Sequence, residues 1–371
     1  MANATGKAAI ARAFVLLTEC CRQGLAGGDS DRLKSLAAGA DWDLLLALAR
    51  RHRVEGLAAH SLRPLTEMIP SHVADSLDEA AVRIARDGLV TMQESRCLFE
   101  AFERAAVPLL FVKGVTLARL AYGNPFLKMG WDIDLLVAPP NVSRAAFVLK
   151  EIGYRLVIPS AADPNAAVAW HRSNKESVWQ SGDRRHHVEL HSRLADNKRV
   201  IPTITVEAPQ QMVEVAPGVR LPTLAREELF AYLTVHGSAS NWFRLKWAAD
   251  LAGLVNGCDG DELTALVQRA QALGAGRSTA QAMLLCAALF GEPFRAVARR
   301  LGLARGPVNR WLAASARAEL CGSHALQEPT ERRLGTARIH LTHLALGFGW
   351  TYPLAELTRK IAEQADRRRF R

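Results

Sequence analysis

The sequence holds no Cys-x-x-C pair, and its six cysteines (Cys20, Cys21, Cys97, Cys258, Cys286, Cys321) are scattered. A disulfide-stapled secreted scaffold is thereby excluded for a chain of 371 residues, and the thiols read as buried apolar groups in a reducing cytosol. No apolar run approaches the ~18 residues needed to cross a bilayer. The opening Met1 to Lys7 is not followed by the compact apolar stretch and small-residue cleavage site of a signal peptide, so the expected location is the cytoplasm. Internal repeats are lacking too.

What is present is the composition of a globular protein: 49% hydrophobic and 23% charged residues, which excludes wholesale disorder. Eight Trp, four Tyr and twelve Phe supply ample material for a core, and the length suggests two or three domains. The net charge of +10 is uneven, because residues 291–371 hold 15 Lys and Arg against 7 Asp and Glu. That excess ends in Arg367, Arg368, Arg369 and Arg371. A solvated helix face with a frayed basic tail accounts for it, and an anionic partner is the alternative.

Apolar spacing of three and four residues predicts helices through residues 8–105, with Asp41 as an N-cap, Gly56 as a break, and a further helix over Asp75 to Gln93. The texture changes at Val107. Leu109 to Val112 reads as a buried strand ended by Lys113-Gly114, then a helix over Val115 to Tyr122 and a turn at Gly123-Asn124-Pro125. Asp132 to Val137 reads as a strand stopped by Pro139-Pro140, Ser143 to Ile152 as a helix, and Tyr154 to Ile158 as a strand. A polar segment follows, then the alternating strand His186 to His191, and from Leu224 the pattern is helical to the end. The expected fold is α+β, a small mixed-sheet core at 106–222 between an N-terminal helical region (1–105) and a C-terminal one with a basic tail (223–371).

Three features carry chemistry. Asp132 and Asp134 stand two apart on a strand, so both carboxylates share a face while Ile133 and Leu135 point into the core. Adjacent unpaired carboxylates repel, and a divalent cation with a taste for oxygen, such as Mg²⁺, relieves the repulsion. Lys113-Gly114 lies between a buried strand and a helix, where glycine permits close backbone approach and the helix start offers free N–H groups to phosphate. Glu189 is an acid in the middle of a buried strand, sharing a face with His187 and His191. It needs a partner, either a metal or an arginine such as Arg185 or Arg193. His187 and His191 do not form a zinc pair, since four strand residues separate the two rings by about 13 Å.

The order of these features resembles the DNA polymerase β-like nucleotidyltransferase superfamily, and most closely an uncharacterised nucleotidyltransferase branch of it. That branch carries Leu-Lys-Gly, a helix, a Tyr and turn, Arg-x-x-x-Asp-Ile-Asp-Leu-Leu-Val, a Gly-Tyr strand and a Val-Asp/Glu-Leu-His strand. The corresponding stretches here are Phe111 to Gly114, Tyr122 to Pro125, Lys128 to Val137, Gly153-Tyr154 and Val188 to His191. His236-Gly237, Trp242 to Trp247, Asp250 and Ala49 to Val54 also match, so the resemblance spans about residues 40–255. The chain departs from the pattern at Val115 (no hydroxyl after the glycine), at Lys128 (for Arg) and at Trp131 (for a small residue).

The resemblance implies transfer of a nucleoside monophosphate from an NTP, most simply ATP, to an acceptor hydroxyl with loss of pyrophosphate. It implies two Mg²⁺ ions held by Asp132, Asp134 and Glu189, with Glu189 on the acceptor side. Lys113, Gly114 and Lys128 would cradle the phosphates, with Arg244 and Lys246 as further nucleotide contacts beside Asp250, and His236 and His171 in reserve. The acceptor (small molecule, peptide, protein or RNA) and the oligomeric state stay open. So do two other readings: a phosphotransferase using the same metal cage, and a non-catalytic nucleic-acid binder acting through the basic end.

Overall fold

The computed structural model describes residues 2–23, 29–130, 132–160, 163, 165–322, 324–347, 349 and 351–369, with the side chains of 2–7, 23 and 365–369 left aside. Trp131 and Arg371, and the side chains of Arg367, Arg368 and Arg369, therefore lie outside the described residues. The chain opens with five helices: α1 (Ala2–Gln23), α2 (Ser30–Ala37), α3 (Trp42–His52), α4 (Glu55–Leu62) and α5 (Ser71–Arg104). The α/β part follows as β1 (Leu110–Phe111), α6 (Val115–Tyr122), β2 (Asp132–Leu136), α7 (Val142–Glu151), β3 (Arg155–Ile158), α8 (Ala166–Trp170), β4 (Glu176–Gln180) and β5 (His187–His191). A hairpin, β6 (Gln210–Ala216) and β7 (Val219–Leu224), completes it. The remaining helices are α9 (Arg226–Ala239), α10 (Leu245–Leu254), α11 (Gly260–Ala270), α12 (Gly276–Leu289), α13 (Phe294–Arg300), α14 (Pro307–Cys321), α15 (Ala337–His343) and α16 (Thr351–Arg369).

This is the expected α+β fold. The five-stranded sheet has the order β1-β2-β5-β4-β3, in which β2 and β5 run parallel and all other neighbours antiparallel. One face of the sheet is dry. Ile133, Leu135, Val188, Leu190 and Trp179 lie buried against α7 and the end of α5, in a cluster with Phe102, Val142 and Leu149. Each such side chain contributes about 1.5–3 kcal/mol by leaving water. The other face presents the alternate residues, Asp132 and Asp134 from β2, His187, Glu189 and His191 from β5, and Glu176, Val178 and Gln180 from β4. A second core joins the N-terminal helices to α9, α10 and α12, through Leu17, Leu45, Leu48, Phe230, Leu245 and Met283 among others.

Several local expectations are met. Asp41 caps α3, its side chain accepting from the Leu44 amide, and α6 has the bounds read from the sequence. Others need correction. The helix read as Asp75 to Gln93 extends over 34 residues as α5. Gly56 is no break; it sits inside α4, and a Cβ there would run into the Leu127 carbonyl oxygen. The break belongs to Arg53, which ends α3 in a left-handed conformation at φ 56°. The polar segment before β5 conceals α8 and β4, and β6–β7 was not anticipated. Of the cysteines, Cys97 is exposed and Cys321 half-buried, while the other four are buried as expected. Among the described residues no helix is long and apolar enough to cross a membrane.

Candidate active site

Strand register assembles the carboxylates. Asp132 pairs with His187, and Asp134 with Glu189, across the parallel β2–β5 ladder, so Glu189 stands directly beside Asp134 on the same face. Gly114 turns the chain from β1 into α6 at φ 71° and ψ −135°, a conformation open to glycine alone. The buried Thr116 hydroxyl donates to the Lys113 carbonyl at 3.1 Å and pins this turn.

Asp132 is exposed at the strand end, whereas Asp134 is buried. The Lys113 ammonium sits 2.8 Å from Asp134 Oδ1, and His191 Nε2 is 3.2 Å from the same oxygen and 3.6 Å from Glu189 Oε2. Burial pushes the Asp134 carboxyl up, but Lys113 and His191 prevail and hold it well below the ordinary carboxylate range. Glu189 goes the other way, raised by burial and by the Asp134 charge. Burial would lower the His191 pKa, but its contacts with Asp134, Glu189 and Glu176 raise it to about 9. Neither Arg185 nor Arg193 is the partner of Glu189: Arg185 lies by Asp183, and Arg193 donates to the His171 and Ser173 carbonyls.

These residues fit a divalent cation. Ligand atoms of Asp134, Glu189 and His191 lie within 4.8 Å of one another, and Asp132 shares their face. The mutual repulsion that raises Glu189 is what a divalent charge would relieve, and the Lys113 ammonium already supplies one positive charge at that point.

The cleft in front of the pair is lined by Lys113, Gly114, Lys128, Asp132, Asp134 and Lys246, with Arg53, His236, Trp247 and Asp250 closing it. Lys128 is paired with buried Asp250 at 2.7 Å, and the Tyr122 hydroxyl donates to the same carboxylate at 2.9 Å. Lys246 has no hydrogen bond or ion pair among the described residues. Burial, and then the neighbouring Lys128 charge, lower its pKa to about 7. His236 packs edge-on against Trp247, and burial drives its pKa well below the usual value.

Two candidates stand elsewhere. Arg244 donates from Nε and Nη2 to Glu328 at 3.1 and 3.0 Å and lies over the Phe243 ring, next to buried Arg51; it does not line the cleft. His171 is buried between Ser192 and Ser177, with a pKa lowered to about 3 by burial. Conversely, two residues were missed. His191 was placed on the Glu189 face by the alternation of its strand and set aside with the zinc reading, so its contact with both acids was not drawn. Arg53 reaches the cleft only through the left-handed end of α3, a tertiary fact without a local signature.

A mixed five-stranded sheet with helices on both sides, with a glycine turn entering a helix and acids on adjacent strands, is consistent with a nucleotidyltransferase core. Residues 38–291 match the family described as uncharacterised nucleotidyltransferase, and the chain belongs to that family. No curated protein matches it.

Proposed function

We propose that the protein is a Mg²⁺-dependent nucleotidyltransferase that moves a nucleoside monophosphate from an NTP, with ATP as the first donor to test, onto an acceptor hydroxyl. The observation that supports this most is the in-register pairing of Asp134 with Glu189, beside Asp132 and in front of a cleft carrying Lys113, Lys128 and Lys246. Asp132, Asp134 and Glu189 would hold the metal, which when bound supplies charge stabilisation at the attacking and leaving oxygens. Lys113, the Gly114 turn and Lys246 bind the phosphates, and Lys128 orients with Asp250.

The reaction forms a bond from the acceptor oxygen to the α-phosphorus and breaks the bond from that phosphorus to the bridging oxygen of pyrophosphate. The acceptor proton passes to Glu189, which stands directly beside Asp134 on the same face of the sheet. His191, between Asp134 and Glu189, keeps the second acid in place. Lys113 and Lys246 offset the charge gathering on the departing pyrophosphate.

Phosphorus NMR of ATP turnover in the presence of hydroxyl-bearing acceptors tests the reading. Pyrophosphate, and an acceptor heavier by one adenylyl group, is the expected outcome. ADP with an acceptor heavier by one phosphoryl group would instead make the protein a phosphotransferase.

A further inference from the structure

Across the sheet from the cation-lined cleft lies a second space, a cavity of about 510 Å³. Its walls include Ile158, Trp170, Glu176, Val178, Asp196 and Glu363. Sheet order fixes where it stands relative to the acids. The cleft is built on the β1–α6 turn and β2, Glu189 follows on β5, and the cavity opens over β4 and β3. Val178 pairs directly with Glu189, and Ile158 pairs with Val178, so Asp134, Glu189, Val178 and Ile158 form one row on one face. The cavity thus begins one strand spacing, about 4.8 Å, from Glu189. One imidazole touches both sides: His191 Nε2 is 3.2 Å from Asp134, and Nδ1 is 3.2 Å from Glu176.

We infer that this cavity is the acceptor site and that it takes a small hydroxyl-bearing molecule carrying an amine. The inference rests on the proposed transferase reading. In-line displacement places the acceptor oxygen opposite the leaving pyrophosphate. With the phosphates held over β1 and β2 by cations, the opposite side of the acids is this cavity, whose volume falls in the range of small-molecule sites.

Charge gives the class. Three acids, Glu176, Asp196 and Glu363, line the cavity against the single cation Lys175, which is committed to Glu176 at 2.9 Å. Glu363 is paired with Arg359 at 2.8 Å, but Asp196 makes no ion pair or hydrogen bond among the described residues. A polyanionic acceptor is disfavoured there, and an ammonium is matched to Asp196. The apolar part of the wall, Ile158, Val178 and Trp170, suits a carbon skeleton.

The segment beyond the family match completes this wall. Buried Glu356 on α16 accepts from Asn197 at 3.2 Å and from Arg359 at 2.6 and 3.1 Å, tying the helix to the loop that carries Asp196. Glu363 then faces the cavity from two turns further along α16.

The test uses the full chain loaded with MgATP and three probes of like size: glucosamine, glucose and gluconate. Ligand-observed NMR should show glucosamine bound tighter than glucose by about fivefold, as expected for one partly screened charge pair, with gluconate weakest. Asp196→Lys should abolish that preference, and Val178→Trp should remove binding of all three while leaving MgATP affinity within about threefold. Equal binding of the three probes, or none, would overturn the inference, as would binding that survives Val178→Trp. Loss of MgATP affinity in either folded variant would place the nucleoside in the cavity and overturn it too. Failure of the transferase reading is separate, since it appears as ATP affinity indifferent to Mg²⁺ in the unaltered protein.

Discussion

The two sides of the carboxylate row are built in opposite ways. The cleft over β1 and β2 is small and lined by Arg53, Lys113, Lys128 and Lys246, carried by connecting turns and by α10, all inside the family match. The cavity over β4 and β3 is several times larger, acid-lined, and closed by a helix outside that match. The difference teaches a division of labour. On the proposed reading the phosphates meet charges packed tightly against one another, whereas the other side leaves room and one carboxylate, Asp196, that makes no ion pair or hydrogen bond among the described residues.

The two aspartates of β2 give the largest contrast within the cleft. Both Asp132→Asn and Asp134→Asn should abolish transfer, but their melting temperatures should part. Exposed Asp132 costs the fold little to lose. Removing the Asp134 charge strands the Lys113 ammonium and should cost on the order of 3–5 kcal/mol. Thermal denaturation of both variants without metal checks this, and equal melting points would mean that the Lys113 pair is not holding the site together.

Glu189→Gln comes next. Turnover should fall by about a hundredfold or more while MgATP affinity stays within a few-fold, because on the proposed reading this acid serves the acceptor side. A parallel fall in affinity would assign Glu189 to the nucleotide instead.

Lys246 sharpens the comparison through pH. Its pKa of about 7 in the empty cleft rises once phosphate oxygens sit beside it, so above pH 7 nucleotide binding takes up a proton and affinity falls as pH increases. Below pH 7 the amine is already charged and affinity should be flat on its account. Calorimetry in buffers of different ionisation enthalpy reads the uptake, which should vanish in Lys246→Met along with about tenfold in affinity. Uptake unchanged in that variant would assign the proton to another group.

On the cavity side, Glu356 has its pKa lowered to about 2 by His343 and Arg359, which outweigh its burial. A depressed acid contributes stability above its unfolded pKa and loses it as pH falls toward 2. Glu356→Gln should therefore lower the melting temperature at pH 7 and much less at pH 3, and weaken glucosamine binding without touching MgATP. A loss of equal size at both pH values would deny that the charge anchors α16. The smallest effect is expected from deleting residues 367–371, which should leave MgATP affinity and the salt dependence of glucosamine binding unchanged; a flatter salt slope would give the basic end a ligand role.

The sequence made the carboxylates legible because strand alternation is a local signal. Asp132-Ile133-Asp134-Leu135 and Val188-Glu189-Leu190 each declare a wet and a dry face. β4 stayed hidden because Glu176 to Gln180 is short, with polar residues at three of its five positions, and reads as loop until β5 is beside it. β6 and β7 were obscured by Pro222 inside the second strand, although Pro217-Gly218 between two alternating runs was a turn signal. Arg244 was read toward the nucleotide from the family resemblance, yet it pairs with Glu328, 84 residues on, and is not among the residues lining the cleft. Long-range ion pairs of that kind leave no periodicity to read.

The most direct measurement of the central claim is a calorimetric titration of the full chain with ATP, with Mg²⁺ and again with a chelator, in the unaltered protein and in Asp132→Asn. Binding that needs Mg²⁺ and is lost in Asp132→Asn, with the variant's melting temperature intact, is the result expected of a metal-bridged triphosphate at these acids. ATP affinity that is the same with and without Mg²⁺, or that survives Asp132→Asn, would contradict it.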